Sequence, residues 1–393
     1  MSVDVEAVRD RAHGLCRDYL HGAWQLISAD DMLIKPISGG LSNVLFLCEL
    51  PQRQSSLADE PTRVLLRMYG QVQEGSHESI TESVIFTLLA ERRLGPKLYG
   101  IFPGGRLEEF IQASSLSYSE LRDPRISQQI AQKMTTVHSL RVPICKEPTF
   151  MWQTMKKWIH LVNDYLKDTT SVEHRDKADI IEALRLCVFE DEVDWLKRLF
   201  ARAPSPVVFC HNDCQEGNIL RPNGGRPGQH QLTLIDFEYC SYGYRGFDVA
   251  NHFCEWLYDY AIDEYPHFSE HPENWPTEQE QLRFIRAYLR HRNNTAEERT
   301  PPAENGDEKT YSAEEVEEQR MLDEVKVYCL ASHLFWTLWS VVNAHVSAIS
   351  FGYWEYAFCR LRAYQTQKQL LMKADPRCPK MTDGGKRRPT HIE

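Results

Sequence analysis

The chain contains no cysteine pair with the CxxC spacing of a zinc or redox site, although it has 11 cysteines in 393 residues. An odd number of cysteines without such spacing does not favour a disulfide framework. The sequence also shows no secretory leader pattern and no apolar run that we would assign to a membrane span. We therefore expect a cytoplasmic protein in a reducing environment, without stable membrane insertion.

The chain has fewer basic than acidic residues. The 45 Lys and Arg residues are outnumbered by 56 Asp and Glu residues, and the net charge is −11. This balance excludes nucleic acid as an expected partner, because nucleic-acid binding depends on a surplus of Lys and Arg. An acidic surface attracts a cationic substrate weakly, although a solvated surface explains the same charge. With 42% hydrophobic residues and no internal repeat, the chain can bury cores for two lobes or domains.

The sequence lacks the lysine signature of a P-loop. It does contain paired glycines in a segment of residues 38–43, directly before an alternating strand pattern at 44–50. Paired glycines let backbone amides approach phosphate oxygens, but a simple hairpin turn fits the same pattern. The candidate phosphate-binding residues in this segment are Ser38, Gly39, Gly40, Leu41, Ser42 and Asn43.

Two short motifs carry the chemistry of phosphoryl transfer. Residues 211–218 match the pattern H-x-D-x-x-x-x-N, and a second motif places Asp236 after an apolar strand pattern. In kinases of this pattern, the first Asp accepts a hydroxyl proton, while the Asn and the later Asp bind magnesium. Asp213, Asn218 and Asp236 are therefore the predicted base and metal ligands. Each motif alone is compatible with an ordinary turn; together they predict a kinase site that uses ATP and Mg²⁺.

The order of elements ahead of these motifs suggests further ATP contacts. Arg67 stands on a predicted strand where kinases place the cation that touches phosphates, and Glu82 lies on the next predicted helix. We expect Glu82 to pair with Arg67, with a solvated Glu82 as the alternative. Residues 105–111 are then predicted to form the strand and linker between two lobes.

Aromatic residues are concentrated after the second motif, in residues 239–260 and again in residues 335–356. Such rings often form a core. Next to a kinase motif they also suit a quaternary ammonium group, which cannot donate hydrogen bonds and is held by aromatic faces and carboxylates. Glu255 and Asp259 are four residues apart, and we expect them on one helical face, where both supply charge.

Several segments together resemble the choline/ethanolamine kinase family, notably residues 38–43, 209–220, 235–239, 244–248 and 251–256. The resemblance implies Asp213 as the catalytic base, with Gln215 and Glu238 as close support. It also implies adenine contacts at Glu109 and Ile111, although Glu109 stands where the family would suggest Gln. The implied choline-binding residues are Tyr239, Glu255, Asp259, Tyr260, Trp336, Trp339, Phe351, Tyr353 and Tyr356.

The same resemblance implies an α+β fold of the two-lobe, protein-kinase-like type seen in aminoglycoside-phosphotransferase-like enzymes, and a homodimer. We expect a β-rich nucleotide lobe over residues 1–110 and a mainly helical catalytic lobe over residues 111–375. Within the second lobe, residues 293–311 are predicted to be a flexible loop. Residues 376–393 are predicted to be a disordered tail.

The predicted reaction is phosphorylation of choline, with ethanolamine as a weaker substrate. A kinase of ethanolamine or another small amino alcohol is the main alternative, and a kinase-like binding module without activity is the other. The second alternative is disfavoured because Asp213, Asn218 and Asp236 are all present. Protein-kinase activity is disfavoured because Asp-Phe-Glu replaces Asp-Phe-Gly and no Ala-Pro-Glu segment follows.

Overall fold

The first lobe is built on a five-stranded antiparallel sheet. A computed structural model of the chain describes residues 5–37, 43–69, 76–167, 176–223, 232–295, 312–375 and 378–379. The sheet order is β1-β2-β3-β5-β4. Its strands are β1 (Leu33–Ile37), β2 (Asn43–Glu49), β3 (Arg63–Tyr69), β4 (Leu98–Phe102) and β5 (Gly105–Glu109).

Two helices accompany this sheet, α1 (Val5–Tyr19) before it and α2 (Ser76–Glu91) between β3 and β4. Alternation along the strands sends apolar side chains such as Leu66 and Leu107 to one face, where they join a core with α1. The opposite face of β3 and β5 carries charged groups instead. Arg67 is directly opposite Arg106 in the register, and both side chains are buried.

The second lobe is mainly helical, as predicted. Its helices are α3 (Pro124–His138), α4 (Phe150–Lys167), α5 (Ala178–Arg185), α6 (Phe189–Phe200), α7 (Arg245–Cys254), α8 (Glu278–Thr295), α9 (Ala313–Val346) and α10 (Tyr353–Ala374). Short strands connect them: β6 (Ala113–Ser115), β7 (Val207–Cys210), β8 (Ile219–Pro222), β9 (Thr233–Leu234), β10 (Ser241–Tyr244), β11 (Tyr258–Asp259) and β12 (Ser269–Glu270). The pairs β7–β10 and β8–β9 frame the two sequence motifs.

Helix α9 is the centre of this lobe. It begins with a capping box in which Ser312 and Glu315 exchange hydrogen bonds. By length and composition this helix is apolar enough to cross a membrane. We had expected no segment with that composition. However, 94% of its apolar window is buried inside the protein. The apolar composition is accounted for by packing against the neighbouring helices α7 and α10.

Strand β5, the last strand in the chain order of the first sheet, ends at Glu109, and the lobe boundary near residue 110 stays a prediction. Two other predicted segments contain ordered contacts. Helix α8 continues to Thr295, within the predicted loop of residues 293–311, and Arg292 Nη1 lies 3.3 Å from Glu317 Oε1 on α9. In the predicted tail, the Pro379 carbonyl accepts a 2.8 Å hydrogen bond from Trp195 Nε1. Residues 296–311 and 380–393 lie outside the described residues.

Candidate active site

The catalytic loop is held by a buried carboxylate on α7. Asp248 accepts hydrogen bonds from the backbone amides of His211 (2.8 Å) and Asn212 (2.7 Å). His138 Nε2 lies 2.8 Å from the same carboxylate. Burial alone would raise the pKa of Asp248, but the hydrogen bonds from His138 and the His211 amide bring it below its usual value. These contacts fix the loop directly after strand β7, where Asn212 has a positive φ of 66°.

Asp213 and Asn218 are in direct contact. Asn218 Nδ2 donates to Asp213 Oδ2 at 2.8 Å and to the Asp213 carbonyl at 2.9 Å. Burial raises the pKa of Asp213 well above its usual value, and the negative charge of Glu255 adds to this effect. A carboxylate with a raised pKa is a stronger proton acceptor, which suits a general base.

The second motif returns beside the first. The Ile235 amide donates to the Asn218 carbonyl at 3.0 Å, and His211 Nε2 lies 3.0 Å from the Ile235 carbonyl. Asp236 follows with a positive φ of 62° and lines the same cavity as Asp213 and Asn218. The two sequence motifs therefore form one site.

The donor set fits a magnesium ion. The amide nitrogen of Asn218 is occupied by Asp213, which leaves the amide oxygen as the group available to a cation. Asp236 contributes a carboxylate of which Oδ1 contacts Arg67 at 3.1 Å. Carboxylate and amide oxygens are ligands that Mg²⁺ accepts, usually together with waters and substrate phosphates.

Arg67 lies on a strand, β3, as predicted, but Glu82 is not its ion-pair partner. Its Nη1 contacts Asp236 and its Nε contacts Glu108 at 3.0 Å. Glu82 instead lies 2.6 Å from Arg106 Nη1. The reason is the strand register, which sets Arg106 opposite Arg67 and places its guanidinium 3.4 Å from the Phe86 ring centre on α2.

The ion pairs between α2 and Asp236 thus include two arginines, where we expected one basic residue. Glu108 Oε1 accepts from both, at 3.0 Å from Arg67 Nε and 2.5 Å from Arg106 Nε. Burial alone would lower the pKa of Arg67, but the charges of Asp236 and Glu108 raise it above its usual value. Arg67 is therefore a permanent cation beside Asp236.

A cavity of about 330 Å³ opens between these residues and the aromatic clusters. Six carboxylates and seven aromatic rings line it, and none of its lining residues is Lys, Arg or His. The lining residues are Ser115, Leu116, Ser117, Tyr118, Asp213, Gln215, Glu216, Gly217, Asn218, Asp236, Glu238, Tyr239, Glu255, Asp259, Tyr260, Ala261, Trp336, Trp339, Phe351 and Tyr356. Such a wall suits a small cation with a hydroxyl group.

The aromatic wall is fixed by hydrogen bonds from its polar edges. Trp339 Nε1 donates to the Tyr239 hydroxyl at 2.9 Å, and the Trp336 ring centre lies 5.5 Å from that of Trp339. Trp336 Nε1 donates to Asn251 Oδ1 at 2.7 Å. Asn251 Nδ2 in turn donates to the Asn212 carbonyl at 3.2 Å. The side-chain amide of Asn251 thus bonds both Trp336 of the aromatic wall and the catalytic loop.

Glu255 and Asp259 line the cavity, but not from one helical face as predicted. Helix α7 ends at Cys254, so Glu255 lies in a short 3₁₀ turn and Asp259 lies in strand β11. Glu255 is also neutralised, because Oε1 forms an ion pair with buried Arg360 and Oε2 accepts from the Tyr260 hydroxyl at 2.7 Å. Its formal charge is not available in full to a substrate.

Some predicted residues lie elsewhere. Tyr353 is not among the lining residues; it packs behind them, 5.7 Å from the Trp339 ring centre and 5.0 Å from that of Phe351. Glu109 and Ile111 do not line this cavity either, and the Glu109 carboxylate accepts from the Lys97 amide at 3.1 Å. Residues 38–42 lie outside the described residues, and Asn43 is described only as part of strand β2.

Three contributors were missed at the sequence level. Glu216 lines the cavity from within the first motif, where the pattern H-x-D-x-x-x-x-N assigns no role to its position. Tyr118 lines it from a 3₁₀ turn in the lobe connection. Arg360 lies on α10, 105 residues after its partner Glu255, and no local pattern indicates that contact.

The fold and site define a two-lobe kinase for a small hydroxylated substrate. The chain belongs to the choline/ethanolamine kinase family, whose family model matches residues 34–365. The choline/ethanolamine kinase of Homo sapiens is 44% identical over 361 residues, which cover 92% of this chain and 86% of that protein. This confirms the kinase identification, and ATP use follows from it.

Solved structures agree on the fold. A choline kinase from Cryptosporidium parvum, 25% identical, aligns with a TM-score of 0.71 and covers 93% of this chain and 96% of its own. An ethanolamine kinase from Plasmodium vivax, 23% identical, aligns with a TM-score of 0.70 over 93% of this chain and 91% of its own. The two structures carry different substrate names and align equally well, so the similarity shows the fold only.

Proposed function

We propose that the protein transfers the γ-phosphoryl group of ATP to the hydroxyl of choline, giving phosphocholine and ADP, with ethanolamine as a weaker substrate. The observation that carries this proposal is one cavity in which Asp213, Asn218 and Asp236 stand beside an aromatic and acidic wall. The human relative is named for both amino alcohols. Phosphocholine is a precursor for phosphatidylcholine synthesis.

In the proposed reaction, Asp213 accepts the proton of the substrate hydroxyl. The hydroxyl oxygen forms a bond to the γ-phosphorus, while the bond from that phosphorus to the β–γ bridging oxygen breaks and ADP leaves with that electron pair. Asn218 keeps the Asp213 carboxylate oriented through its 2.8 Å contact. Little covalent chemistry is required of the protein, so positioning and charge supply most of the catalysis.

Magnesium is proposed as the metal, with Asn218 and Asp236 as its ligands. When bound, the ion neutralises charge that develops on the phosphate oxygens. Arg67 supplies a further cation next to Asp236. Gln215 and Glu238 line the same cavity, and Gln215 accepts from the Gly217 amide at 2.7 Å, which shapes the loop between base and ligand.

The glycine loop of residues 38–43 with Glu109 and Ile111 is proposed for the nucleotide phosphates and adenine. This proposal is supported by position, because residues 38–42 connect antiparallel strands β1 and β2 at the first lobe, and Glu109 ends β5. A homodimer, which the family resemblance implies, and a cytoplasmic location, which the cysteine content suggests, stay predictions. The mass of the full chain by light scattering checks the first of them.

One assay tests the proposed function. The full chain is incubated with Mg-ATP and either choline, ethanolamine or 3,3-dimethyl-1-butanol, an uncharged alcohol with the shape of choline, and products are identified by phosphorus NMR. We expect phosphocholine and ADP as the main products, and no detectable product from the uncharged alcohol. Absence of phosphocholine would overturn the proposal, and equal use of the uncharged alcohol would overturn the role of the cation site.

A further inference from the structure

The carboxylates that line the cavity differ in how well they are compensated. Glu255 has Arg360 and Tyr260, and Asp236 has Arg67. Asp213 accepts from Asn218. A substrate cation therefore meets carboxylates that already have partners within the protein, and for Glu255 and Asp236 the partner is a buried arginine.

Glu216 is different. Its side chain is 6% exposed, and its Oε2 atom is fully buried without a hydrogen-bond partner among the described residues. An unpartnered buried carboxylate oxygen is costly, because folding removes its water without replacing it. The described residues do not supply the partner that this carboxylate oxygen needs.

The position of Glu216 indicates what that partner is. It opens the short 3₁₀ turn of Glu216–Asn218, which Gln215 caps through the Gly217 amide. The same loop carries Asp213, and both residues line the cavity, so the proton acceptor for the hydroxyl and the unpartnered carboxylate lie on one wall.

We propose that Glu216 binds the substrate ammonium group and determines how well the cavity accepts a primary amine relative to a quaternary one. A primary ammonium can donate a hydrogen bond to the Glu216 carboxylate, whereas a trimethylammonium group can only be attracted by its charge. The aromatic rings bind the quaternary ammonium group through cation–π contacts, and Glu216 accepts the hydrogen bond that a primary ammonium group can donate. This inference rests on the proposed amino-alcohol kinase function and names the residue behind its second substrate.

The test compares three variants. Glu216→Gln removes the charge with little change in shape, Glu216→Asp restores a carboxylate, and Glu264→Gln makes the same chemical change at an exposed residue outside the cavity lining. For each, kcat/KM is measured with ethanolamine and with choline. Binding of each amino alcohol without ATP is followed through the fluorescence of Trp336 and Trp339, which reports on Glu216 even if no phosphoryl transfer occurs. Thermal unfolding shows that each variant is folded.

In Glu216→Gln we expect kcat/KM for ethanolamine to fall at least about tenfold, the worth of a hydrogen bond to a charged group. The value for choline should fall no more than about threefold, because its aromatic contacts remain. Ethanolamine affinity should weaken in the same proportion, and Glu216→Asp should recover part of the loss. An unchanged ratio of the two substrates, or an unchanged ethanolamine affinity, would overturn the role of Glu216. A wild-type chain that binds both amines but phosphorylates neither would overturn the proposed function instead.

Discussion

Arg67 Nη1 lies 3.1 Å from Asp236 Oδ1, so strand β3 of the first lobe directly contacts a cavity-lining carboxylate of the second lobe. The two residues are 169 positions apart in the sequence. Because Glu108 holds Arg67 from the other side at 3.0 Å, the guanidinium connects the two lobes at the phosphoryl-transfer site. A shift of one lobe relative to the other would therefore move Arg67 relative to Asp236, a proposed metal ligand.

We expect Arg67→Lys to lower kcat/KM for ATP by about 10- to 100-fold. A lysine is a single point charge and cannot contact Asp236 and Glu108 together, and such charged hydrogen bonds are each worth about 1.5–3 kcal/mol. Steady-state kinetics with varied Mg-ATP check this, with the KM for choline nearly unchanged. The control is Arg63→Lys, an exposed position on the same strand. An ATP profile in Arg67→Lys equal to that control would contradict the role of Arg67.

The base is tested by Asp213→Asn, which keeps the size of the side chain. Turnover should fall by about 100- to 10,000-fold, the usual contribution of a positioned general base, while binding of Mg-ATP stays close to the parent. Single-turnover rates and nucleotide titrations measure the two effects separately. Asp263→Asn, at an exposed residue, serves as the control. Turnover within tenfold of the parent would remove Asp213 from the role of base.

The phosphoryl-transfer motifs could be predicted from the sequence because their chemistry is local. Asp213 and Asn218 are five residues apart, and in this protein the loop between them brings their side chains into contact. The same reasoning placed Asp236 beside them, because two strand patterns with a turn between them return the chain to its starting point. The aromatic wall followed from the density of rings near these motifs.

What could not be predicted depends on contacts between distant segments. The Glu82–Arg67 pairing failed because the register of β3 and β5 inserts Arg106 between them, and register is not visible in the strand patterns alone. We expected the negative charge of Glu255 to attract the substrate cation, but Arg360 on α10 already forms an ion pair with it. The predicted helical relation of Glu255 to Asp259 was wrong because α7 ends at Cys254, before both residues. Glu216 escaped notice because its burial follows from the folded cavity.

The two metal ligands should respond differently to removal. Asp236→Ala is expected to abolish activity, because it removes a charged ligand and leaves Arg67 without its partner. Asn218→Ala should retain a residual rate whose magnesium requirement moves to higher concentration. Activity titrated with MgCl₂ at fixed ATP checks both variants, with the exposed Asn294→Ala as control. A magnesium titration that does not move in Asn218→Ala would show that this residue does not bind the ion.

The aromatic wall makes a prediction that separates its lining from its support. Trp339→Ala should raise the KM for choline by about tenfold or more, because a cation over an aromatic face gains up to ~2 kcal/mol when desolvated. Tyr353→Phe, behind the lining, loses only a hydroxyl that contacts Ser347 at 2.8 Å and should stay near the parent. The KM for ATP should change little in both. A choline KM that is unaffected by Trp339→Ala would contradict the cage.

Stability should depend on pH through His252 on α7. This residue is fully buried, its Nδ1 lies 2.8 Å from the Cys214 carbonyl, and burial lowers its pKa to about 4. Because the unfolded pKa is near 6.5, the stabilisation by neutral His252 is present above pH 6.5 and is lost as the pH falls towards 4. From pH 7.5 to 5 this amounts to about 2 kcal/mol. Urea unfolding of the parent and of His252→Asn measures it, and equal pH slopes for the two would contradict the assignment.

The most direct test of the account is a competition between choline and ethanolamine in one reaction. Equal concentrations of both are supplied with limiting Mg-ATP, and the initial ratio of phosphocholine to phosphoethanolamine, measured by mass spectrometry, gives the ratio of their kcat/KM values. Two or three aromatic faces around the quaternary group predict a ratio of at least about 10 in favour of choline. A ratio of one or below would show that the aromatic wall does not select the quaternary amine and would make ethanolamine the principal substrate.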